Sequence, residues 1–310
     1  MRSLPSPTRI PDALRAPRAR AAVRRSAVAL VLLGAGACGR SGPPPVPAGF
    51  TEIGLATAPG LSGLAVDADG ALWTVAERAG RAYRITLAPA GAPAAPTLET
   101  LTVEGVPAGT DLEGIAVLGP GRFALGTEGR LAGAATVLLA ERRGDALVVT
   151  ASIALPAAIV GIALPPNHGA EGVCGAGDTI IAAIEGAGEA EGKRWAPIVR
   201  IEHGAITRVH RLWLTSPTGK LSGLDCTIAA DGTVTGWAIE RHFAVTRLLR
   251  FTLPPTAGDV TPELAHDLGP ALQGRVNLEG IAQLPDGRLV TVIDNQWRTI
   301  EGPSRLLIHP

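Results

Sequence analysis

Three glutamates, Glu113, Glu171 and Glu279, each stand directly before a glycine in a similar setting. A second set of acids, Glu77, Glu128, Glu185, Glu240 and Asp294, follows 14 to 18 residues behind that landmark or behind the serines that replace it. Carboxylates repeated this way can hold a cation, exchange a proton, cap backbone N–H groups or pair with arginine. Oxygen-only donors favour a hard ion, Ca²⁺ before Mg²⁺. The six histidines are scattered and show no zinc spacing. Glu113, Glu128, Glu171, Glu185, Glu279 and Asp294 form the expected metal set. Glu77 and Glu240, each followed by arginine, are the candidates for a general base. Arg78, Arg241, His242 and Lys220 lie close by and are the candidates for steadying an anionic substrate.

The elements that must position these residues repeat five times. The landmarks are Leu61-Ser-Gly-Leu, Leu112-Glu-Gly-Ile, Ala170-Glu-Gly-Val, Leu221-Ser-Gly-Leu and Leu278-Glu-Gly-Ile. The residue before the shared glycine is Ser62, Glu113, Glu171, Ser222 or Glu279, at spacings of 51, 58, 51 and 57 residues. A period of this size signals a propeller or a solenoid. Apolar runs such as Thr179–Ile184 and Val290–Ile293 read as strands covered on both faces. Asp-Gly at 69–70, 231–232 and 286–287 marks hairpins. The third repeat divides into strands at Gly172–Gly175, Thr179–Ile184, Ile198–Glu202 and Thr207–Leu214, which is the make-up of a propeller blade. The last repeat ends after a third strand, Arg305–Ile308. Phe50–Ala56 at the front supplies its fourth and removes the open edges. The expected fold is therefore all-β, a five-bladed β-propeller of four antiparallel strands per blade, over residues 50–310.

Two-residue hairpin loops would set Glu279 opposite Asp294, Glu113 opposite Glu128 and Ser62 opposite Glu77. Glu171 would fall opposite or next to Glu185, and Ser222 near Glu240. Opposed residues share one side of a sheet, so each innermost hairpin would carry acid at its open end, all around one mouth. Two carboxylates about 5 Å apart repel by roughly 3 kcal/mol at an effective dielectric near 20. A bound cation, protonation or a basic neighbour must compensate. Ser62 and Ser222 lack a GxSxG elbow and suit a crowded strand start. The five tryptophans, Trp73, Trp195, Trp213, Trp237 and Trp297, suit core positions, and no Trp-Asp dipeptide occurs.

The zero formal charge of the 310 residues conceals an asymmetry. Seven arginines and one acid, Asp12, precede Cys38; without them the 28 basic and 28 acidic side chains become 21 and 27. A mildly acidic remainder argues against a nucleic-acid partner. Arg15, Arg18, Arg20, Arg24 and Arg25 lead into an apolar run, Ala27–Ala37, too short to span a bilayer and typical of a secretory signal. The run ends Ala35-Gly-Ala-Cys38, which resembles a bacterial lipobox. Residues 1–37 then read as a lipoprotein signal peptide, Cys38 as the lipidated residue, and 38–49 as a Pro-rich tether. This places the expected protein in the cell envelope, lipid-anchored, as a monomer that touches membrane only through Cys38. The GxGxxG at Gly34–Gly39 lies in this leader and is not a nucleotide site. Cys174 and Cys226 occupy similar places in neighbouring repeats, and export permits either a bridge or two thiols.

Asp111-Leu-Glu-Gly-Ile-Ala, Asn277-Leu-Glu-Gly-Ile-Ala and Ala170-Glu-Gly-Val, with Glu-Arg at 77–78 and 240–241, resemble the phytase-like propeller family, labelled "esterase-like activity of phytase". The SdiA-regulated propellers are similar. The resemblance implies hydrolysis of a phosphoric ester by recurrent Glu and Asp. The expected function is thus a divalent-metal-dependent phosphoric-ester hydrolase. A non-catalytic ligand- or protein-binding propeller of the envelope is the alternative, and a lactonase of the SMP-30 group a further one. The basic residues are too sparse for a substrate as highly charged as phytate.

Overall fold

The computed structural model describes residues 49–89, 95–131, 133, 135–272, 276–295 and 302–309. The expected signal segment 1–37, Cys38, the expected tether up to residue 48 and Trp297 lie outside them.

The chain folds as antiparallel meanders. Strand β1 (Thr51–Leu55) is followed by β2 (Leu61–Val66), β3 (Leu72–Ala76), β4 (Arg81–Thr86) and β5 (Thr97–Glu104). A second meander comprises β6 (Thr110–Gly119), β7 (Arg122–Gly129), β8 (Thr136–Arg143) and β9 (Ala146–Ala154). After a single helical turn, α1 (Ala157–Val160), come β10 (Ala170–Ala176), β11 (Thr179–Ile184), β12 (Gly188–Ala190), β13 (Lys193–Glu202) and β14 (Ala205–Trp213). Next are β15 (Lys220–Ile228), β16 (Val234–His242), β17 (Val245–Leu253), β18 (Asp259–Val260) and β19 (Glu263–Asp267). A second short turn, α2 (Gly269–Leu272), leads to β20 (Asn277–Gln283), β21 (Leu289–Asp294) and β22 (Ser304–Ile308).

These strands form four sheets in an all-β, propeller-like arrangement. The first two meanders join edge to edge through a short parallel contact of β5 with β9, giving one eight-stranded sheet. Its end strands β2 and β6 also pack together, so this sheet nearly closes on itself. The last sheet runs β1-β22-β21-β20, with Thr51 opposite Ile308 and Leu55 opposite Ser304. The front strand therefore completes the final sheet, as the sequence expects. The inner strands β2, β6, β10, β15 and β20 pack each against the next, and β20 returns to β2. Apolar clusters fill the spaces between successive meanders, for example Val137, Val173 and Ile184, or Ile239, Leu278 and Ile293. Strand β21 is buried along its whole length, which is why its sequence is an apolar run rather than an alternation. Each such Leu or Ile contributes about 1.5–3 kcal/mol by leaving water.

The shared glycine of each repeat sits where these inner strands meet. A Cβ on Gly63 would lie 2.7 Å from Ile115 N, one on Gly114 3.0 Å from Glu171 O, and one on Gly172 2.6 Å from Leu224 N. A Cβ on Gly223 would lie 3.1 Å from Gly280 Cα, and one on Gly280 2.5 Å from Gly63 C. The contacts close on themselves, so no side chain fits at these positions.

Two local devices change the expected register. The Asp-Gly loops contain three residues, not two. Asp67 N–H donates to Ala71 O and Gly70 N–H to Asp67 O, and the same pair of bonds recurs at Ala229 and Leu284. Gly70, Gly232 and Gly287 take φ of 80°, 84° and 91°, the left-handed position of a type I turn with a G1 bulge. Then a β-bulge interrupts every inner hairpin beside the shared glycine. Glu113, Glu171, Ser222 and Glu279 are the extra residues. They therefore oppose nothing in the ladder, and the bulge re-aims their side chains. The expected pairs give way to Asp111 opposite Glu128, Asn277 opposite Asp294, Ser62 opposite Val75 and Leu221 opposite Glu240.

Cys174 on β10 and Cys226 on β15 form a disulfide between neighbouring inner strands. Ser62 Oγ donates to Glu113 O at 2.6 Å, and Ser222 Oγ to Leu278 O at 2.8 Å. Both serines stitch one inner strand to the next.

Candidate functional site

The register brings two positions of each repeat to the same open end. One lies two residues before the bulge site and carries Gly60, Asp111, Gly169, Lys220 or Asn277. The other lies across the ladder and carries Glu77, Glu128, Glu185, Arg241 or Asp294. The bulge residues Glu113, Glu171 and Glu279 add to them. Asp111, Glu113 and Glu128 place one carboxylate oxygen each within 4.8 Å of the others, and so do Glu128, Glu171 and Glu185. Glu128 belongs to both triads. Asp111 and Asn277 escaped the sequence reading, although each is spelled out two residues before Glu-Gly and so falls on the same side of its strand.

Three cations reach into this cluster. Arg78 Nε lies 2.9 Å from Asp111 Oδ2. Lys220 Nζ contacts Glu185 Oε1. Arg241 grips Glu279 with two nitrogens, Nη2 on Oε1 and Nε 3.1 Å from Oε2. Asn277 Nδ2 donates to Glu279 Oε1 at 2.7 Å and to Asp294 Oδ2 at 2.9 Å. Glu279 and Asp294 are thus engaged by an arginine and an amide, and of the expected metal set these two belong to neither triad. The basic residues expected to meet substrate are likewise bound to the protein's own acids. His242 ends β16 beside Phe243, ring centroids 4.4 Å apart. Burial, then the charge of Lys220, lowers its pKa, so it offers a neutral ring rather than a fixed positive charge.

Glu240 does not join the cluster. Arg241, not Glu240, stands at the mouth position of β16, because the bulge in this hairpin shifts the ladder by one residue and adjacent residues face opposite sides. Its carboxylate accepts from Thr215 N and Ser216 N at 2.9 Å each, and from both hydroxyls. The general-base role expected for Glu240 is withdrawn: it fastens the 215–216 loop.

The crowding shifts protonation upward. Burial, then the charges of Asp294 and Glu279, pushes Glu77 up to about 9. Burial, then Asp111, pushes Glu128 up to about 7. Glu113 and Glu171 rise well above the carboxylate range, first through burial and next through Glu171 and Glu279 respectively. Burial also outweighs Arg241 in raising Glu279. At neutral pH Glu77 holds its proton, so it is placed to donate one rather than to accept one.

A hard divalent ion fits the two triads. Their donors are all carboxylate oxygens. Glu171 is only 4 % exposed and lies among other acids. Such a group demands a cation or a proton.

A family model described as "esterase-like activity of phytase" matches residues 56–296. The chain belongs to the phytase-like family. Curated protein sequences give no match to this phytase-like chain. Among solved structures it is similar in shape to the PQQ-bound aldose sugar dehydrogenase of Streptomyces coelicolor, with 14 % identity, 85 % of this chain and 99 % of that one covered, and a TM-score of 0.44. A glucose dehydrogenase gives 12 % identity, coverages of 84 % and 99 %, and a TM-score of 0.46. A luciferin-regenerating enzyme gives 10 %, 84 %, 96 % and 0.43.

Proposed function

We propose that this phytase-like protein is a divalent-metal-dependent phosphoric-ester hydrolase, built as five blades with the eight-stranded sheet supplying two of them. The carrying observation is the pair of carboxylate triads sharing Glu128, with Glu171 buried among them. Asp111, Glu113, Glu128, Glu171 and Glu185 hold the ion, Ca²⁺ being the first choice. A divalent ion there supplies a Lewis acid for a phosphoryl oxygen and lowers the pKa of a water. Glu77, protonated at neutral pH, gives its proton to the departing alkoxide. We further propose export as a lipoprotein anchored at Cys38, which rests on the leader sequence.

The test is hydrolysis of p-nitrophenyl phosphate and bis-p-nitrophenyl phosphate by the mature protein, with Ca²⁺ and with chelator. Turnover lost on chelation and in Glu128→Gln supports the reading. Turnover that survives both rejects it. The pairing of Lys220 and Arg241 with the protein's own acids favours a second reading, a cation-binding propeller without catalysis. That reading expects Ca²⁺ to raise the melting temperature with no turnover on either ester.

A further inference from the structure

Each carboxylate triad has one member already occupied by a cation of the chain itself. In the first triad it is Asp111, held by Arg78; in the second it is Glu185, held by Lys220. Lys220 occupies the repeat position that elsewhere carries Asp111 and Asn277, so the strand delivers its side chain to the mouth as it delivers theirs. Burial, then the charge of Arg241, lowers the pKa of Lys220, against the pull of Glu171, Glu279 and Glu128, so its ammonium is held there at a cost. The side chain is 25 % exposed and single-pronged. Arg241, by contrast, is fixed to Glu279 by two contacts at 18 % exposure. A lysine is a point charge on a flexible stem and leaves a partner more readily than a forked guanidinium does.

We propose that Lys220 is a displaceable internal cation: a divalent ion entering the Glu128–Glu171–Glu185 triad takes its place, and the released ammonium becomes the anion-binding group of the mouth. This rests on the metal reading above and adds an order of events to it. Without the ion, Lys220 neutralises Glu185 and is not left for an anion. With the ion, Glu185 turns to the stronger charge. Lys220 is then repelled by the ion and attracted to whatever anion the ion binds. The ligand class is a phosphoryl or phosphonyl anion, and its binding is conditional on the divalent ion.

The experiment is calorimetric titration of the mature, disulfide-bonded protein with CaCl₂, and then with phenylphosphonate in the absence and presence of Ca²⁺. Removing a competitor must strengthen the ion's binding, so Lys220→Met is expected to bind Ca²⁺ about tenfold tighter than wild type. The same variant is expected to lose at least about tenfold in Ca²⁺-dependent affinity for phenylphosphonate, and Lys220→Arg to recover most of that loss. Arg288→Met, which removes a surface charge paired with Asp286 on the far-side turn, leaves both affinities unchanged. Ca²⁺ affinity unchanged or weakened in Lys220→Met overturns the displacement while leaving the metal reading standing. So does phenylphosphonate binding to wild type without Ca²⁺. Absence of Ca²⁺ binding in every form, with melting temperatures showing folded protein, overturns both.

Discussion

Lys220 stands directly across the ladder from Arg241, and these two neighbouring cations reach different carboxylates, Glu185 and Glu279. Like charges opposed in a ladder are normally unfavourable. They persist here because each is drawn to its own acid at the mouth. Removing either cation leaves a buried acid without its counter-charge.

Arg241→Met is therefore expected to cost about 3–5 kcal/mol, the scale for breaking a buried pair from one side. Adding Glu279→Gln recovers much of the loss, since the amide needs no counter-charge. Urea unfolding of the two single variants and the double variant checks this, and additive losses would contradict the pairing.

The raised carboxyls make a signed prediction for chelator-treated protein. Glu77 at about 9 and Glu128 at about 7 hold protons in the folded state that an unfolded chain releases near 4.5. Stability then falls as pH rises through that interval. Unfolding midpoints at pH 5, 7 and 9 should descend in chelator, and Ca²⁺ should flatten the descent. A midpoint that climbs with pH would contradict the crowding.

Glu240→Gln tests the loop-fastening role. Its carboxylate accepts four hydrogen bonds from Thr215 and Ser216. Losing charge and part of this set should cost about 1–3 kcal/mol while Ca²⁺ affinity stays as in wild type. A lowered Ca²⁺ affinity would return Glu240 to the mouth.

The ring of close approach predicts a contrast between glycines. Gly280→Ala forces a Cβ to within 2.5 Å of Gly63 C, so about 3 kcal/mol or outright failure to fold is expected. Gly177→Ala, at φ 61° with nothing within 4 Å, should cost only about 1 kcal/mol of backbone strain. Thermal melts of both variants decide it.

The repeats, the closing front strand and the acid-rich mouth were legible because they depend on spacing and on alternation. Glu113, Glu128, Glu171 and Glu185 come together at the mouth, although not through the pairs expected. The failures share one cause. Counting across a hairpin assumes an unbroken ladder, and here a bulge at or near the turn and another at the shared glycine can each shift the count by one. That is enough to exchange Glu240 for Arg241 and to bring Asp111 opposite Glu128. The shared glycine was in plain view as a mark of the repeat. Its meaning, strands too close for any Cβ, depends on contacts between repeats that no single repeat contains. Nor does spacing tell which acid a guanidinium grips: Glu279 and Glu171 occupy equivalent places, and Arg241 donates its hydrogen bonds to Glu279.

Thr51 registers against Ile308, so the clasp joins partners separated by nearly the whole folded region. Such distant pairing forms late and slowly. While the ribosome is still making the chain, β22 does not yet exist and the circle has no fastening. The nascent protein stays open until β22 emerges, so the ring is fastened only after nearly all of it has been made.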